Sequence, residues 1–242
     1  MERELNLQNK VWLVLFDIDG TLLHSAGCGR AAARYAMQEV FGTIGGLDQV
    51  DFAGKTDWQI LLEALEVTTI SAEEVQAQLE TYNAATARHL AQLIPHFAVR
   101  PCVGALEIVA ALRENPAVLM GLVTGNASDL VPIKLRTAGF DPDDFKVAAF
   151  GSEGWARSML PPLALDRARV YSGTNFSPER IVIIGDTPDD IACAASVQAR
   201  TIAVATGSFS MDQLRACKPT HVFESMANTD ALLAAIFQNG SR

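Results

Sequence analysis

The sequence predicts an α/β protein, a Rossmann-like doubly wound parallel sheet carrying an inserted α-helical module. Three observations predict it. Short apolar runs rich in β-branched residues alternate with helical patterns over residues 100–242, and that alternation builds a parallel sheet with right-handed crossovers. Residues 22–98 show helical patterns but no good strand. Three of the apolar runs end in polar clusters, at the rim where open parallel sheets bind ligands.

The first run, residues 11–16, is apolar throughout and reads as a strand buried on both faces. Helical patterns then span 26–40, 57–65 and 72–93, and Ser71 with Glu74 forms a capping box at the start of the third. Gly42, Gly45 and Gly46 break the interval into pieces. Strand patterns follow at 117–123, 146–150, 180–184 and 200–205. Helical ones lie at 104–114, 128–138, 163–170 and 188–195, and Gly139 supplies a stop for the second of these. The implied division is a core domain of residues 1–21 and 99–242 around a helical module of residues 22–98.

Composition narrows the function. The chain has 242 residues, a net charge of -9 and no basic run, which excludes nucleic acid and an anionic membrane surface as partners. The helical module holds four basic against nine acidic residues, so much of that charge sits there. Residues 1–10 are polar and lack the apolar core of a secretion signal, and residues 11–16 fall far short of the ~20 apolar residues of a membrane span. Cys28, Cys102, Cys193 and Cys217 are widely spaced, with no C-x-x-C pair. They read as reduced thiols in a cytoplasmic protein. His24, His89, His96 and His221 lack metal-ligand spacing and read as surface or packing residues, and Trp12, Trp58 and Trp155 as packing.

The chemistry gathers at strand ends. The first strand runs into Asp17-Ile18-Asp19-Gly20-Thr21, the second into Thr124-Gly125-Asn126, and the fourth into Gly185-Asp186-Thr187-Pro188-Asp189-Asp190. One rim would thus collect Asp17, Asp19, Asp186 and Asp190. Crowded carboxylates raise one another's pKa unless a hard cation with oxygen ligands compensates. Thr124, Gly125 and Asn126 would offer hydroxyl and backbone N–H groups to an anion. A cation, an anion cradle and a spare carboxylate together suit phosphoryl transfer. Gly54-Lys55-Thr56 is no Walker loop, because Gln49 stands where that motif needs glycine. Lys55 reads equally as an exposed cation or a substrate contact.

These motifs resemble the haloacid dehalogenase superfamily. Phe16-Asp17-Ile18-Asp19-Gly20-Thr21-Leu22 is similar to its first motif, Val123-Thr124-Gly125-Asn126 to its second, and Gly185-Asp186-Thr187-Pro188-Asp189-Asp190 to its fourth. The insert resembles the small helical cap of the phosphoglycolate phosphatase-like branch, and Gly54-Lys55-Thr56-Asp57 resembles a cap loop of that branch. The resemblance implies a Mg²⁺-dependent phosphatase of a small phosphorylated metabolite. Asp17 would be the nucleophile and Asp19 the acid–base. Asp17, Asp19 (through its backbone carbonyl), Asp186 and Asp190 would hold Mg²⁺, and Thr124 would bond the phosphoryl group. Gly125, Asn126 and Lys55 would contact substrate.

The third motif departs from the pattern. Ser158-Met159-Leu160-Pro161-Pro162 holds no lysine, leaving Arg157 or Lys134 as the substitute cation. A sugar phosphomutase, or a catalytically weak phosphate-binding regulator, is the alternative reading. The chain is expected to act as a monomer or homodimer.

Overall fold

The computed structural model describes residues 11–238; the reading of residues 1–10 lies outside them. Six parallel strands form the main sheet in the order β5-β4-β1-β6-β7-β8. They are β1 (Trp12–Phe16), β4 (Val118–Thr124), β5 (Val147–Phe150), β6 (Ile181–Gly185), β7 (Arg200–Val204) and β8 (His221–Phe223). After β1 the chain builds outward through β4 and β5, then returns to build β6, β7 and β8 on the other side of β1. The direction of winding therefore reverses at β1, and such a switch point opens a crevice at the carboxyl ends of the strands.

β1 is central because every one of its residues is buried. Side chains alternate between the faces of a strand. Val14 and Phe16 pack on one side with Ile108 and Leu112 of α4 (Ala105–Arg113), Leu135 of α5 (Val131–Thr137) and Leu232 of α9 (Thr229–Phe237). Leu13 and Leu15 pack on the other with Leu160, Ala164 and Ala168 of α6 (Leu160–Ser172). Two short helices, α7 (Pro188–Cys193) and α8 (Met211–Ala216), flank the later strands.

The insert is helical, as its periodicity predicts. α1 (Cys28–Phe41), α2 (Asp57–Leu65) and α3 (Ala72–Leu93) close around Met37, Leu47, Leu61, Leu65 and Tyr82. The Ser71–Glu74 capping box is present, and Thr56 with Gln59 forms another at α2. A smaller apolar cluster of Cys28, Ala32, Leu90, Ala127 and Leu130 joins the insert to the sheet domain.

Several elements differ from the sequence reading. Residues 22–98 do contain a strand: β2 (Leu23–His24) pairs antiparallel with β3 (Arg100–Pro101) where the chain enters and leaves the insert. Two residues are too few to show a period. α5 is shorter than 128–138 because residues 128–130 form a turn, with Pro132 in the first helical turn. α6 is longer than 163–170 because its prolines also sit in the first turn, where no N–H partner is needed. β8, α8 and α9 follow the last element the pattern assigned. Trp12 is buried and Trp58 packs in the insert, but Trp155 is exposed, so its packing role is corrected.

All four cysteines are free. Burial pushes the Cys102 and Cys193 thiols up to about 12, which keeps them protonated and unreactive. No helix among the described residues is long and apolar enough to cross a membrane.

Because Leu15 is fully buried in the central strand, Leu15→Ala is expected to cost about 2–5 kcal/mol. Denaturant unfolding should show it as a lower midpoint with an unchanged slope.

Candidate active site

Three strand ends deliver the polar clusters to one place. The Asp17 N–H donates to the Ile184 carbonyl at 2.9 Å, tying the end of β1 to β6. Thr124 closes β4 beside them. Asp186 follows β6, and its Oδ1 accepts from the Thr21 hydroxyl at 2.9 Å. The carboxylate sits in a cradle of two glycines: a Cβ at either Gly20 or Gly207 would collide with it. Thr187, not Asp186, caps α7, which leaves the Asp186 carboxylate free for the site.

The carboxylates fall into two electrostatic settings. Arg157 is buried and bridges two of them: one guanidinium nitrogen donates to Asp17 Oδ1 at 2.5 Å and also to Asp190 Oδ1. Burial lifts Asp17 to about 7; Arg157 opposes this and Asp190 adds to it. Burial also holds Asp186 well above the usual carboxylate range, reinforced by Asp17 and Asp190. Asp190 is the most heavily bonded of the set. Its Oδ2 accepts from Thr187 N–H at 3.0 Å, the Thr187 hydroxyl at 2.8 Å and Asp186 N–H at 3.2 Å.

Asp19 stands apart. Its Oδ2 accepts from Lys134 Nζ and from Asn126 Nδ2, both at 2.7 Å. Burial works to raise its pKa, but Lys134 and these hydrogen bonds outweigh it, and Asp19 is held below the usual value. Lys134 is itself buried and also donates to Asn126 Oδ1 at 2.5 Å. Asn126 Nδ2 donates as well to Thr124 Oγ1 at 2.8 Å. The two substitute cations foreseen for the third motif thus do different jobs. Arg157 neutralises Asp17 and Asp190, and Lys134 pairs with Asp19 instead.

The residues present fit a divalent cation. Asp17, Asp186 and Asp190 each offer an oxygen within 4.8 Å of the others. They share one guanidinium, so two negative charges are left over when all three ionise. Three all-oxygen donors with excess negative charge suit a hard cation such as Mg²⁺. The Asp19 carboxylate is not part of this cluster; only its backbone remains available to a metal.

The insert closes over the rim and leaves a cavity of about 710 Å³, lined among others by Asp17, Asp19, Lys55, Asn126, Arg157 and Asp186. Lys55 is both partly exposed and turned to the cavity, with Nζ 2.5 Å from Glu63 Oε2. The loop 54–57 packs tightly on the core. Gly54 lies against Asp189, its carbonyl accepts from Arg157 at 3.5 Å, and a Cβ on Gly125 would collide with the Lys55 carbonyl.

Asp57 is the residue the sequence reading passed over. Its N–H donates to the Gly125 carbonyl at 2.8 Å, and its Oδ2 accepts from the Ala127 N–H at 2.7 Å. Burial raises it to about 6, with Lys134 and the Ala127 N–H pulling the other way. The sequence marked Asp57 only as the end of the Gly54-Lys55-Thr56-Asp57 loop, and an acidic residue in the first turn of a helix already has a local explanation in the helix dipole.

The chain is similar to known hydrolases. The HAD-hydrolase-like family model matches residues 160–229. A phosphoglycolate phosphatase of Vibrio vulnificus is 26% identical over 229 residues, spanning 91% of this chain and 95% of that one. The pyrophosphatase PpaX of Listeria monocytogenes is 24% identical over 230 residues, spanning 94% and 98%. A hydrolase from Pseudomonas syringae shares the fold with a TM-score of 0.65 at 19% identity, covering 94% of this chain and 99% of its own. The chain is thus similar to haloacid dehalogenase-like hydrolases in a family model over residues 160–229, in curated relatives along most of its length and in fold. The curated relatives it resembles are a phosphoglycolate phosphatase and a pyrophosphatase. Arg157 stands against Asp17, and no lysine follows it in the stretch 158–162.

Removing the Arg157 cation leaves three buried carboxylates uncompensated. Arg157→Ala is expected to destabilise the fold by about 3–5 kcal/mol at pH 8. The loss should shrink toward pH 5. Without the cation the raised pKa values of Asp17 and Asp186 rise further, so the penalty exists only where these groups are forced to ionise, and acid relieves it. Thermal unfolding across that pH range measures it.

Proposed function

We propose that this protein is a Mg²⁺-dependent phosphatase acting on small phosphorylated metabolites through an aspartyl-phosphate at Asp17. The observation that carries the reading is the separation of its carboxylates into two environments. Asp17 is crowded against Asp186 and Asp190 beside Arg157, while Asp19 stands alone with Lys134 and Asn126. Carboxylates pushed toward different protonation behaviour divide the roles of nucleophile and acid–base.

In this reading Asp17 and Asp186 hold Mg²⁺, with Asp190 and the Asp19 backbone carbonyl as further ligands. The ion supplies positive charge to the phosphoryl oxygens. Asp17 attacks phosphorus as the ester P–O bond breaks, and Asp19 gives its proton to the leaving oxygen. Water then attacks the aspartyl-phosphate, passes a proton to Asp19, and frees Asp17 and inorganic phosphate. Substrate-free Asp19 is held ionised, the form needed to take a proton from water. A dianionic phosphoryl group beside it favours the protonated form required in the first step. Arg157 neutralises the nucleophile before attack and the phosphoryl group after it. Thr124, Gly125 and Asn126 would bind the phosphoryl oxygens.

Two buried polar atoms at the site lack protein partners, Asp19 Oδ1 and Arg157 Nε. One accepts and one donates, which suits an incoming phosphate ester. Arg157 also argues against a regulator that has lost turnover, since it places a permanent cation on Asp17. We take residues 22–98 as the cap domain, with Lys55 reaching the part of the substrate remote from phosphorus. The Vibrio relative makes a phosphoglycolate-like compound the leading substrate. The free thiols suit the cytoplasm.

Release of inorganic phosphate from a metabolite panel tests the reading. Turnover should require Mg²⁺, stop with EDTA, and fall at least ~10³-fold in Asp17→Asn, a variant lacking the nucleophile. Isomerised sugar phosphate with no free phosphate would favour a mutase instead. Mg²⁺ should also raise the melting temperature more at pH 8 than at pH 6. With Asp17 lifted to about 7, protons compete with the metal at the lower pH.

A further inference from the structure

The connection between Asp57 and Asp19 runs through a single residue. Asn126 lies between Gly125 and Ala127, and Asp57 bonds both neighbours, receiving the Ala127 N–H on its carboxylate and donating its own N–H to the Gly125 carbonyl. The Asn126 carbonyl in turn accepts from the Gly151 N–H at 2.8 Å. Peptide groups are planar. Fixing the Gly125 carbonyl orients the peptide before Asn126, and fixing the Asn126 carbonyl and Ala127 N–H orients the one after it. The backbone of Asn126 is therefore set on both sides, and backbone geometry restricts the rotamers of the side chain. That side chain donates to Asp19 Oδ2 and accepts from Lys134, which donates to the same Oδ2. With both donors on Oδ2, Asp19 Oδ1 is left without a partner and free for the reacting oxygen.

Asp57 opens α2 of the cap, whereas Asn126 and Asp19 belong to the core. We propose that Asp57 is a positioning residue that couples docking of the cap loop to the aim of the acid–base carboxylate. When loop 54–57 is seated, Asp57 brackets Asn126, and Asn126 with Lys134 turns Oδ1 of Asp19 toward the leaving group. When the loop lifts, the peptides flanking Asn126 lose two of four hydrogen-bond restraints, those to Gly151 and the Thr124 hydroxyl remaining, and Asp19 loses a fixed donor. Proton transfer is thereby confined to the closed state. This proposal rests on the phosphatase reading of the same site.

The test uses the full-length protein with Mg²⁺ and two esters. A primary alkyl phosphate needs a proton on its leaving oxygen, while para-nitrophenyl phosphate leaves without one. General acid catalysis contributes roughly 10²–10⁴-fold. If Asp57 aims Asp19, Asp57→Ala should lower kcat about 30-fold on the alkyl ester but less than about 3-fold on the aryl ester. Asp57→Asn keeps an acceptor for the Ala127 N–H and should restore most of the alkyl activity. Asp57→Ser cannot span the distance yet suits a helix start, and it serves as the test if Asp57→Ala does not fold. Combined with Asn126→Ala, the Asp57→Ala change should add little, because both act on one path. An equal kcat loss on the two esters, or additive effects in the double variant, would overturn the role of Asp57. Absence of phosphate release from both esters by the unaltered protein would overturn the phosphatase reading itself.

Discussion

The structure depends on how the carboxyl end of one sheet tolerates buried negative charge. Asp17, Asp186 and Asp190 converge there because β1 and β6 are neighbours and both strands end at the same level. Arg157 is the protein's own answer, touching Asp17 and Asp190 from a segment far along the chain. A buried ion pair gives little net stability against an apolar alternative, but losing one partner is costly. The arrangement is better understood as a constraint accepted for chemistry. The cluster is left with more negative than positive charge, which suits a hard cation.

The same constraint explains the crowding of small residues around the site. Asp186 can occupy its position only because Gly20 and Gly207 leave room for its carboxylate. Asp190 is held rigidly by the capping box of α7, so one side chain both starts a helix and anchors Arg157. Local helix signals and site chemistry are thus the same atoms at this position, and neither reading alone accounts for it.

Much of this was legible in the sequence. β1, β4 and β6 were visible as apolar runs, and their polar ends identified Asp17, Thr124 and Asp186 as neighbours. The helical insert was legible from its 3.6-residue period and its Ser71–Glu74 cap. The pair β2 and β3 was not, since a two-residue strand carries no periodicity and exists only through its pairing. The roles of the two cations were also hidden. Lys134 and Arg157 each had a plausible route to the rim, and only side-chain geometry separates the one on Asp19 from the one on Asp17. The contacts of Asp57, quoted only as part of a loop resemblance, were hidden for a similar reason: its partners are backbone groups of a distant loop, which no side-chain pattern encodes.

The choice of arginine at position 157 follows from what it must reach. A lysine at this place would present a single ammonium to Asp17 and Asp190. The planar guanidinium instead keeps one nitrogen on both carboxylates and the Val123 carbonyl and turns a second to the Gly54 carbonyl of loop 54–57. The counter-charge of Asp17 is therefore also a contact to loop 54–57. Asp57 makes the corresponding contact on the Asp19 side. Loop 54–57 therefore touches the partner of Asp17 through Gly54 and the backbone around the partner of Asp19 through Asp57.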